Sequence, residues 1–167
     1  MTINPAFSQS NTDDSFSNLL EQEISLLESL QELMQEERKT IESNKIDNLD
    51  PITEQKKVLL DQVEQANHRR NEFLRANVQA SSGRERLETF ISKSQNKSQL
   101  TEQFNHLEMA LHECKQQNDT NAMIVAMNQR HVERNLNIMK GIDQSAVTYT
   151  SKGTTNNAPS RLSGVKA

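Results

Sequence analysis

The sequence predicts an all-α protein: an elongated antiparallel helical hairpin or bundle of about three long helices with disordered termini. Three observations carry this expectation. Only four Gly and three Pro interrupt 167 residues, so little breaks helical propagation. Hydrophobic residues make up 33% of the chain and Trp is absent, which is thin for a compact globule. It suffices for helices that each bury a single apolar stripe. Finally, apolar residues recur at spacings of three and four over three long stretches.

Residues 1–12 read as a disordered lead, and 13–142 as the helical domain. Asp13 or Asp14 is placed to cap the first helix. Phe16, Leu19, Leu20, Ile24, Leu27, Leu30, Leu33 and Met34 then form its stripe, out to Ile41. "NKIDNLDP" interrupts the pattern. Asp50 followed by Pro51 suits a helix start, because a carboxylate caps and a proline fixes the first turn. The second helix is expected to reach about Ala80, with Ile52, Leu59, Leu60, Val63, Ala66, Phe73 and Leu74 on one side, and to pack antiparallel on the first. After "SSGRER", Leu87, Phe90 and Ile91 suggest a short helix or a structured loop. A third long helix begins near Leu100 and ends at Lys140, with Gly141 as its cap. Residues 143–167 read as a flexible tail that carries Tyr149, the only tyrosine.

The formal charge of −4 argues against a nucleic-acid partner. It hides an asymmetry: nine acids against two bases in residues 1–43, and three acids against seven bases in 115–167. The single Cys114 excludes an internal disulfide and points to a reducing compartment. The N-terminus has neither the basic nor the apolar region of a signal peptide, and no apolar run is long enough to span a bilayer. A cytoplasmic protein is expected, without an integral membrane segment.

No phosphate-binding loop, nucleophile elbow or zinc-type spacing is present, so no catalytic residue, metal or cofactor is assigned. The sharpest metal candidates are Glu64/His68, Glu102/His106 and Glu108/His112, each pair on one helix face. Di-iron bundles use Glu-x-x-His instead, and solvated i,i+4 pairs are the plainer reading. "HRR" at 68–70 and "RER" at 84–86 read as solvated faces, and Cys114 as core packing.

At 100° per residue, residues 122–142 place Val125, Val132, Leu136 and Met139 in one sector, and Ile124, Met127, Ile138 and Ile142 in a second. Two apolar sectors exceed what one core requires. Either this is a central helix touched by two others, or one sector faces the body and the second meets a partner or another copy. Met123 and Met127 suit the latter, since flexible thioethers accept varied surfaces.

"KKVLLDQVEQANHRRNEFL", "QQNDTNAMIVAMNQRHVERNLNIMKG" and "TYTSKG" follow an acidic amphipathic first helix. In this order the chain resembles flagellar export chaperones of the FlgN type over roughly residues 16–153. The most specific matches are Lys56, Leu59 and Leu60; Gln117, Asn118 and Asn121; and Thr148, Tyr149 and Gly153. Ala122 stands where relatives often have Gly. The resemblance implies a cytoplasmic, non-enzymatic helical chaperone for the hook–filament junction proteins. Its cargo face would comprise Met123, Ile124, Met127, Arg130, His131, Arg134, Ile138 and Ile142. Thr148, Tyr149 and Gly153 would contact the cytoplasmic domain of the flagellar export gate. A structural coiled-coil adaptor, homodimeric through the extra sector, is the alternative.

Overall fold

The structure, a computed structural model, describes residues 5–140. Its elements are α1 (Pro5–Glu42), a 3₁₀ turn (Ile46–Asn48), α2 (Leu49–Asn77), α3 (Gly83–Lys93) and α4 (Lys97–Met139). No strand occurs among the described residues. Among the described residues the helices number four rather than about three, because Leu87, Phe90 and Ile91 lie on a genuine short helix. The chain divides into two compact units, Met1–Ala122 and Met123–Ala167.

In the first unit α1 packs against both other long helices, α2 and α4. Its core positions repeat every seven residues as Asp13, Leu20, Leu27, Met34 and Ile41, and again as Phe16, Glu23, Leu30 and Glu37. All but Glu37 are buried. Such heptad columns are how helices pack side by side over several turns. α2 lies antiparallel to α1, and two ion pairs fix the register. Arg70 Nε is 2.7 Å from Glu23 Oε2, and Lys56 Nζ is 2.9 Å from Glu37 Oε2. The pairs fall at the same 14-residue spacing on both helices, so a slip of one turn would break both at once. α4 runs parallel to α1. The Cys114 thiol donates to the Leu27 carbonyl (3.4 Å) and Asn121 Nδ2 to the Met34 carbonyl (2.8 Å), each across 87 residues. The buried column of α4 is Leu100, Leu107, Cys114 and Asn121, again at heptad spacing.

The helix ends differ from expectation in instructive ways. α1 begins at Pro5, so Asp13 is interior to it and caps nothing of α1. Its carboxylate instead accepts from Ser94 Oγ (2.7 Å) and the Gln95 N–H (2.9 Å), tying the α3–α4 turn to α1. α1 ends in a Schellman turn: Asn44 takes φ 56°, and the Lys45 N–H reaches the Thr40 carbonyl. Asn48, not Asp50, is the N-cap residue of α2, and Pro51 occupies the third helical position. An N–H there has no intrahelical acceptor, so the proline still costs nothing. α2 stops at Asn77, short of Ala80. Ser82 caps α3 by accepting from the Glu85 N–H, while Glu85 accepts from the Ser81 N–H, a variant of the capping box. Phe16, Phe73 and Phe90, with ring centroids 4.7–5.7 Å apart, join α1, α2 and α3 at this end. Gly141 lies outside the described residues.

Candidate functional site

A polar clamp terminates the packed part of α4. Asn121 is 3% exposed, and its amide is almost fully employed. Nδ2 donates to the Met34 carbonyl and to Glu37 Oε2, both at 2.8 Å, while Oδ1 accepts from Arg38 Nε at 3.0 Å. Lys56 Nζ donates to Glu37 and, at 2.9 Å, to Asn118 Oδ1. Lys56, Asn118 and Asn121, singled out by the resemblance, therefore meet in one network across α1, α2 and α4. Asn121 could have been found from sequence alone as the polar member of the Leu100–Leu107–Cys114 heptad.

From Met123 onward the burial of α4 changes. Met123 is 63% exposed, Met127 48% and Ile138 65%, while Ile124 is half-buried. Arg130, His131 and Arg134 are exposed beside them, and Arg130 Nε reaches the Ala126 carbonyl of its own helix. Among the described residues of the second apolar sector, Met127 and Ile138 are therefore uncovered. The first is uncovered too: Val125, Val132, Leu136 and Met139 are all exposed. In the first unit it is α1 that packs against both other long helices, α2 and α4. Ile142, Thr148, Tyr149 and Gly153 lie outside the described residues.

An uncovered apolar helix face of this length can bind another amphipathic helix by burying both. Among the described residues no group of three His, Cys, Asp or Glu side chains is placed to hold a metal. Instead of its sequence neighbour Glu64, His68 pairs with Glu72 (3.1 Å), and His106 lies 3.7 Å from Glu28. "HRR" is not wholly a solvated face, since Arg70 engages the buried Glu23. Burial pushes the Cys114 thiol above its ordinary pKa, which keeps it protonated and unreactive. No described helix is long and apolar enough to cross a membrane.

No curated protein matches this sequence. Among solved structures the fold is similar to that of a protein assigned to flagella synthesis, FlgN of Pseudomonas aeruginosa. The TM-score is 0.58 at 26% identity, covering 83% of this chain and 98% of that one. The family model described as FlgN protein matches residues 12–157, a span that includes the α1–α2–α4 clamp and the whole exposed half of α4. The chain belongs to the FlgN protein family.

Proposed function

We propose that this protein is a flagellar export chaperone without catalytic activity. It holds the C-terminal helical segments of hook–filament junction proteins against the exposed half of α4 and delivers them to the export gate. The observation that carries this reading is the uncovered apolar surface of Met123, Met127 and Ile138 in a chain of the FlgN family. The solved relative's assignment to flagella synthesis supports the flagellar part. A cargo segment seated there would hide apolar surface that otherwise drives premature assembly. Arg130, His131 and Arg134 border the face and would steer an acidic cargo side, changing association rate more than affinity. Thr148, Tyr149 and Gly153 form the gate-docking element, separate from the cargo face. The protein acts in the cytoplasm, where a lone thiol such as Cys114 stays reduced.

The test is calorimetric titration of a junction-protein C-terminal segment into Met127→Asp and Ile138→Asp variants. Binding should vanish while circular dichroism stays that of the wild type; normal binding by both variants would refute the assignment of the face. Exposure of both α4 sectors also favours a second reading, a homo-oligomeric adaptor whose second copy covers the helix. A tight dimer in sedimentation, unaffected by cargo, would select it.

A further inference from the structure

The buried column of α4 continues beyond the clamp. After Leu100, Leu107, Cys114 and Asn121, the same heptad position is occupied by Asn128 and Asn135. The intervening positions on that seam are Ile124, His131 and Ile138. Three apolar residues are thus followed by three asparagines at strict seven-residue spacing. Asn128 and Asn135 are exposed, and among the described residues neither side chain makes a hydrogen bond. Nothing in α4 itself requires an amide at those two positions.

Asn121 shows what an asparagine in this column does once a helix covers it. Its donors find a backbone carbonyl and a carboxylate of α1, and its oxygen finds a guanidinium. A covered asparagine at a seam position costs stability but fixes register and selects partners, because an apolar partner leaves its amide unpaired.

We infer that Asn128 and Asn135 determine the specificity of the exposed α4 face. The occupant is an amphipathic helix of a partner protein that presents hydrogen-bonding side chains at two core positions one heptad apart. Aliphatic residues flanking that pair meet Ile124 and Ile138. The choice of occupant follows from continuity with the α1–α4 interface, where the same column is covered by a helix that supplies such groups. Rejection of uniformly apolar helices is the other half of the device. A chaperone surface rich in exposed Met, Ile and Val would otherwise capture any sticky helix. This inference rests on the proposal that the α4 face holds a helix.

The test uses the full chain and two synthetic amphipathic peptides of about four heptads. They are identical except for two core positions seven apart, Asn in one and Ile in the other. The wild type should bind the Asn peptide at least about tenfold more tightly, since each stranded amide costs about that factor. The Asn128→Val/Asn135→Val double variant should reverse the preference; should it self-associate, Asn128→Ala/Asn135→Ala should abolish the preference. Equal binding of both peptides by the wild type, or a preference unchanged in the variants, overturns the inference. So does a wild-type dimer dispersed by Ile138→Asp, which would put a second copy on the face. If neither peptide binds, the inference also falls, and the junction-segment titration decides separately whether the helix-holding reading falls with it.

Discussion

Asn121 and Asn128 occupy equivalent positions on one helix, seven residues apart, yet truncating them should have very different effects. Asn121→Ala removes three hydrogen bonds of 2.8–3.0 Å, two of them to charged groups. The groups left behind are not stranded. Glu37 keeps Lys56 at 2.9 Å, and Arg38 is only half-buried and can turn to water. The loss is therefore nearer a sum of net bond contributions than of full desolvation penalties, about 2–3 kcal/mol. For a chain of this length that lowers the melting temperature by roughly 4–12 °C. Asn128→Ala touches no partner and should stay within about 0.5 kcal/mol of the wild type, tilting toward stabilisation because alanine is the better helix former. Urea unfolding followed by far-UV circular dichroism separates the two through their midpoints at constant slope. An Asn121→Ala protein as stable as the wild type would refute the clamp as a structural element. A comparable loss in Asn128→Ala would refute the exposed status of that position.

Other perturbations have equally definite outcomes. Arg70→Met strands the Glu23 carboxylate, whose side chain is 1% exposed, and should cost about 3–5 kcal/mol; adding Glu23→Gln should recover most of that loss in the same urea assay. The raised pKa of Cys114 means that its stabilising contribution is fully present below the ordinary value of 9.0 and is lost as pH rises beyond it. Native protein at pH 8 should therefore react slowly with a thiol reagent and rapidly once unfolded, and fast native labelling would contradict the burial. Tyr149→Ala should spare cargo affinity and weaken docking to the cytoplasmic gate domain; an equal loss of both in parallel titrations would abolish the division of labour.

The three long helices were legible because their stripes are periodic and their breakers few. Local chemistry announced the break after Ile41 but not its form, since Asn44 closes a Schellman turn that depends on carbonyls of the preceding turn. Asp13 misled for a physical reason. A carboxylate near a helical pattern looks like its cap, and only the tertiary fold brings residues 94 and 95 to it. Neither Glu23 nor Glu37 carries a sequence signal of its place on the packed face of α1, because the matching cation of each lies on another helix. Periodicity marked two apolar sectors on α4, and among the described residues both Met127 and Ile138 of one and Val125, Val132, Leu136 and Met139 of the other are exposed. An amphipathic pattern reports that a face wants cover and is silent on whether the same chain supplies it.

The 87-residue separation between α1 and its α4 contacts also bears on the order in which the molecule is made. The Glu37–Lys56 pair spans 19 residues, so α1 and α2 can close on each other while α4 is still being synthesised. Until then the heptad column of Leu20, Leu27 and Met34 lacks one of its two walls. Pulse-labelled hydrogen exchange during refolding should find the α1–α2 amides protected before those of residues 100–121. On the ribosome, the nascent hairpin must wait, with an open apolar seam, for the same helix whose later half keeps Met123, Met127 and Ile138 exposed in the finished fold.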